Sequence, residues 1–113
     1  MSIDVVNEDV IVKMVEVIVR EVQPEQVYLF GSRARGDALE DSDVDILVVE
    51  RAPFSAGRSR FAESNRIYRA LAALPVPIDV LLYSTEEVAE WCESANHVIG
   101  RCLREGRLLY ARP

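Results

Sequence analysis

Two short apolar runs, Val27–Phe30 and Val44–Val49, bracket a polar stretch with a distinctive start and end. It begins Gly31-Ser32 and, after ten further residues, ends Asp43-Val44-Asp45. Runs of this length, rich in β-branched and aromatic residues, predict two strands with a turn between them. Alternation along a strand sends Asp43 and Asp45 from the same face, ~6.6 Å apart at ~3.3 Å per residue, while Val44 and Ile46 point into a core. A glycine directly after a strand lets the backbone approach an anion closely, with the following amides aimed at it. Ser32 adds a hydroxyl. The stretch therefore reads as a candidate phosphate-and-metal site. Taken alone, the two acids could equally be a solvated strand edge, and Gly-Ser is a common turn dipeptide.

The remaining chain supplies supports for those strands. Asn7 followed by Glu8 and Asp9 predicts a helix start, since Asn caps well and acids suit the positive end of the helix dipole. Val10, Ile11, Met14, Val15, Ile18 and Val22 continue as one apolar helical stripe, and Gln23-Pro24 stops it. Ser32 to Asp41 predicts a turn with one helical turn at its start. Arg51 to Ser59, with proline, glycine and two serines, predicts a mobile loop. A second amphipathic helix is expected from about Arg60 to Leu74 on Phe61, Ile67, Tyr68, Leu71 and Leu74. After Pro75-Val76-Pro77 comes a third strand, Ile78–Tyr83. Ser84-Thr85-Glu86-Glu87 has capping-box spacing and opens further helix, pausing near Ser94–Asn96 and resuming to Gly106. Leu108–Tyr110 predicts a final short strand. The order implies an α/β (α+β) chain, a small β-sheet with helices packed on it, in a single domain spanning 1–113.

Asp79 interrupts the apolar third strand between Ile78 and Val80. A buried carboxylate costs several kcal/mol unless paired or metal-bound. An arginine partner is one resolution. If the third strand lies beside the second, Asp79 instead converges with Asp43 and Asp45, and three mutually repelling acids are best relieved by a divalent cation. Oxygen-only ligands suit Mg²⁺ or Mn²⁺.

The net charge of −6 argues against direct nucleic-acid binding, which generally needs a basic face. Twelve of the thirteen basic residues are arginine, which fits genomic base composition and, secondarily, phosphate recognition. No apolar run approaches the ~20 residues that span a bilayer, and Asp4, Glu8 and Asp9 interrupt any signal-like start. A membrane association is not expected, and a cytoplasmic location is. Cys92 and Cys102 read as small core residues rather than a disulfide, and one histidine without C-x-x-C gives no zinc site. His97 is expected to be a surface or capping residue, and Trp91, Tyr83 and Tyr110 core aromatics. The arginines Arg58, Arg60, Arg66 and Arg69 read first as a solvated helix face and second as a contact for a partner's acidic surface.

As a set, Gly31-Ser32, Asp43-x-Asp45 and the later Asp79 resemble the signature of the DNA polymerase beta-like nucleotidyltransferase superfamily. G-S-R-A-R-G, S-D-V-D-I-L-V-V and the C-terminal H-V-I-G-R-C-L-R-E-G-R-L-L-Y are similar to the minimal nucleotidyltransferases encoded beside HEPN-domain partners. The resemblance implies a polymerase beta-like nucleotidyltransferase fold with a small mixed sheet. It implies Mg²⁺-dependent transfer of AMP from ATP to a hydroxyl, with two metal ions held by Asp43, Asp45 and Asp79. Asp79 would also help deprotonate the acceptor. Gly31, Ser32 and Arg33 would hold the phosphates. It further implies an antitoxin whose partner is a HEPN-domain toxin, adenylylated on tyrosine, with homo- or hetero-oligomers allowed. Two alternatives stand beside it: neutralisation of the partner by complex formation alone, and transfer to a small molecule or an RNA end.

Overall fold

The computed structural model describes residues 7–36, 38 and 43–113. Asp4 and residues 37 and 39–41 of the expected turn lie outside the described residues. Helix α1 (Glu8–Val22) starts where the Asn7 side chain accepts from the Val10 amide at 3.0 Å, and it buries Ile11, Met14 and Ile18. It ends at Gln23, whose φ of 50° turns the chain left-handed ahead of Pro24. Strand β1 (Gln26–Phe30) runs straight into a five-residue helix, α2 (Gly31–Arg35), the helical turn expected after Phe30. Strand β2 (Val44–Glu50), helix α3 (Arg60–Leu71) and strand β3 (Ile78–Ser84) follow. Ser84 and Glu87 form the full capping box of α4 (Thr85–Trp91). His97 caps α5 (Val98–Glu105), its ring Nδ1 accepting from the Ile99 amide at 3.1 Å, and β4 (Arg107–Ala111) closes the chain.

The sheet is mixed, in the order β3-β2-β1-β4. β1 pairs antiparallel with β2 and β4, whereas β3 lies parallel to β2. Alternation divides it into two faces. Val27, Leu29, Val44, Ile46, Val48, Val80 and Leu82 meet α1 and α3 in the larger core. Leu47 and Val49 pack with Tyr28, Phe30, Leu81 and Tyr83 against Val88, Val98 and Cys102 from α4 and α5. By strand parity, Asp45 and Asp79 belong to this second face, at the end where β2 and β3 begin.

Five expectations are corrected. Helix α3 stops at Leu71 rather than Leu74, because the Pro75-Val76-Pro77 segment disfavours helix in the residues before it. Phe61 is 76% exposed: six residues from Ile67 is about a third of a turn off the buried stripe at 3.6 residues per turn. Trp91 is 39% exposed and stacks on His97 with ring centroids 4.5 Å apart, so it is not a core residue. The arginines of the second helix and the loop before it are not merely solvated. Arg58 donates to buried Glu50 at 2.6 Å and to Glu63 at 3.2 Å, Arg60 pairs with Glu87, and Arg66 reaches Glu21. Arg58 also bonds the Ala52 carbonyl and, with Arg60, covers the Phe54 ring, so the 51–59 segment is tied down rather than loose.

Candidate active site

Three strand ends bring the predicted residues together. Phe30, the last residue of β1, pairs with Asp45, and Asp45 pairs in parallel with Asp79. Gly31 therefore sits over the Asp45 carboxylate. Its φ is +72°, and a Cβ placed there would overlap Asp45 Oδ2. Both features require glycine. The close contact at Gly31 is with the Asp45 carboxylate. Ser32 follows in the first turn of α2, the end of a helix where the macrodipole is positive.

Asp43 precedes β2 and is exposed, and the next residue is anchored by the Val44 amide donating to the Pro77 carbonyl at 2.9 Å. That bond joins the start of β2 to the segment leading into β3. Asp45 is half-buried, and its carboxyl is raised above the usual aspartate range. Burial is the largest cause, followed by the negative charges of Asp79 and Asp43, with Arg35 pulling in the opposite direction. Asp45 thus feels both of the other acids. Cys102 of α5 lies close enough to feel Asp45 as well: burial first, then Asp45, push its thiol up to about 11. It stays protonated and apolar under the acids.

Asp79 departs from expectation. It is exposed, because β3 is an edge strand and the residue lies one position in from its start. Its Oδ1 accepts from the Tyr68 hydroxyl at 3.3 Å. Tyr68 is held above the ordinary phenol range by burial and by Asp79, so it keeps its proton and can donate. Among the described residues, no three His, Cys, Asp or Glu side chains are already drawn into joint coordinating range. The acids share a corner and an electrostatic field without forming a closed cage. Arg33 is half-buried on α2 and already engaged, as is Arg35. Sequence reasoning placed Arg35 near enough to help with phosphate but gave it no catalytic part, and it missed Tyr68 as a member of this corner. Their only signal was proximity, Arg35 three residues after Ser32 and Tyr68 on the helix between the two acid-bearing strands.

A small mixed sheet thus brings a glycine turn and carboxylates together at adjoining strand ends. A family model described as "Nucleotidyltransferase domain" matches residues 11–106, and the chain belongs to that family. A candidate minimal nucleotidyltransferase of known structure is 26% identical, with 93% of this chain and 95% of that one covered, at a TM-score of 0.56. A chain of a toxin–antitoxin structure with AMP-PNP is 24% identical, with 95% and 75% covered, at 0.59. A chain of a complex between a tri-AMPylated Shewanella oneidensis HEPN toxin and an MNT antitoxin is 19% identical, with 93% and 72% covered, at 0.59. No curated protein matches the chain significantly. Among the described residues, no helix is long and apolar enough to cross a membrane.

Proposed function

We propose that this nucleotidyltransferase moves AMP from ATP onto a tyrosine hydroxyl of a HEPN-family toxin, in a Mg²⁺-dependent reaction in the cytoplasm, and so acts as its antitoxin. The observation that carries the reading is the register that sets Asp45 beside Asp79 and two residues from Asp43, with Gly31 against its carboxylate. A carboxylate held among like charges gains most when a divalent cation arrives. The donor set, oxygen only and anionic, suits Mg²⁺ or Mn²⁺. Asp43 and Asp45 would hold the metal that carries the triphosphate, and Asp79 would complete a second site. A bound pair of ions supplies Lewis-acid stabilisation of the attacking and leaving oxygens.

The chain's own groups orient the reactants. Gly31 and Ser32 would present the amides and hydroxyl at the start of α2 to the β- or γ-phosphate, with Arg33 adding charge once its present contact is exchanged. Asp79, on the open edge of the sheet, would accept the proton of the incoming tyrosine. The new bond joins the tyrosine oxygen to the α-phosphorus, and pyrophosphate leaves. The acidic balance of the chain also suits a basic RNA-cutting partner. The similarity to chains from toxin–antitoxin complexes, one of them with an AMPylated HEPN toxin, supports the same partner class.

The experiment is to incubate the protein with α-labelled ATP, Mg²⁺ and the product of the adjoining gene, beside Asp43→Ala and Asp45→Ala. Label on the partner that disappears in both variants is the expected result. A second reading, neutralisation by complex formation alone, draws on the acids not being drawn into joint coordinating range among the described residues. An unlabelled partner that is still neutralised by both variants would establish that reading instead.

A further inference from the structure

We propose that Tyr68 is a positioning residue for Asp79, an inference that rests on the metal-site reading of the three acids. β3 is the edge of the sheet, and α3 sends the Tyr68 hydroxyl across to its open side. There the Val80 amide donates to Tyr68 Oη at 2.8 Å, using an oxygen lone pair and fixing the hydroxyl in place. The hydroxyl proton then has two acceptors in range, Asp79 Oδ1 at 3.3 Å and the Val80 carbonyl at 3.4 Å. The charged acceptor is the stronger one.

An aspartate on an exposed strand edge has free rotamers. A donor that is itself anchored to the backbone removes much of that freedom. With Oδ1 tethered, Oδ2 remains free to serve a metal between Asp79 and Asp45, its register partner. This is how outer partners of metal-binding carboxylates act: they fix the ligand's orientation, and their removal costs roughly 10–100-fold in metal affinity or activity.

The test is a double-mutant cycle on Tyr68→Phe and Asp79→Ala, with two readouts. One is turnover of α-labelled ATP, with kcat and KM separated. The other is Mn²⁺ binding by calorimetry without nucleotide. Phenylalanine keeps the ring and its packing. Tyr68→Phe is expected to lower kcat and weaken Mn²⁺ binding by about tenfold, with KM for ATP unchanged because Asp43 and Asp45 carry the triphosphate. The double variant is expected to match Asp79→Ala alone in both readouts. Wild-type behaviour of Tyr68→Phe, or a further loss of the full tenfold in the double variant, overturns the positioning role while leaving the reading of Asp79 intact. Wild-type turnover and Mn²⁺ binding in Asp79→Ala would overturn both, and is distinguishable because it appears in the single Asp79 variant.

Discussion

Replacing Gly31 by alanine tests the geometry at the centre of the site. Two costs follow from the structure. At a φ of +72° an L-residue is about 1–2 kcal/mol worse than glycine. In a domain of this size that lowers the melting temperature by roughly 4–8 °C per kcal/mol. The second cost is specific: the new Cβ would occupy the position of Asp45 Oδ2, so the carboxylate has to swing by about an ångström to restore contact distance. A displacement of that size in a reacting array costs on the order of 10²-fold in rate. Gly36 provides the control. Its φ is +83°, but nothing lies within 4 Å of a Cβ built there. Gly36→Ala should lose comparable stability and keep its nucleotidyl transfer. Thermal melts and label transfer, both read well below the two melting temperatures, separate the effects. Equal transfer by both variants would refute the argument that Gly31 exists to accommodate Asp45.

Asp45→Asn should raise the melting temperature of the metal-free protein, because it removes a partly buried charge from beside Asp79 and Asp43, while abolishing transfer. Mg²⁺ should stabilise the wild type and leave Asp45→Asn unmoved, as read by melts with and without chelator. Glu50 is pushed up to about 7, first by burial and then by Glu63, against the opposing pull of Arg58. In that state the fold binds a proton that the unfolded chain releases near 4.5, so stability is fully present below about 4.5 and declines as pH rises to about 7. Denaturation from pH 5 to 8 should show this fall, on the order of 1–3 kcal/mol, and Glu50→Gln should flatten it. Arg58→Ala strands Glu50, which is 4% exposed, and should cost about 2–4 kcal/mol at pH 8 in denaturant melts, much less at pH 5.

Local patterns carried much of the fold. The Asn7 cap, the α1 stripe, the Ser84–Glu87 capping box and the helix pause before His97 are short-range features, and each appears in the structure where its residues predict it. The pairing of the second and third strands, on which convergence of the acids depended, is also present, with Asp45 beside Asp79. What failed required knowledge of the sheet's edges. Ile78 and Val80 made Asp79 look buried, yet it lies near the start of an edge strand, outside the cluster that covers Leu81 and Tyr83 on the same face. The arginines are the other case. Glu50, Glu87 and Glu21 lie far enough from Arg58, Arg60 and Arg66 in the chain that only the fold reveals the pairs. Tyr68 counted as one more apolar position on a helix, and its hydroxyl mattered only once β3 was found beside it.

The central claim is that Asp43, Asp45 and Asp79 hold divalent metal together against a nucleotide. Anomalous scattering from crystals grown with Mn²⁺ and a non-hydrolysable ATP analogue tests it directly. The account predicts a metal peak at about 2.0–2.2 Å from oxygens of Asp43 and Asp45. It predicts Asp79 turned to a second peak about 3.5–4 Å away. Nucleotide bound elsewhere, or ordered at this corner with no metal between the carboxylates, would contradict it.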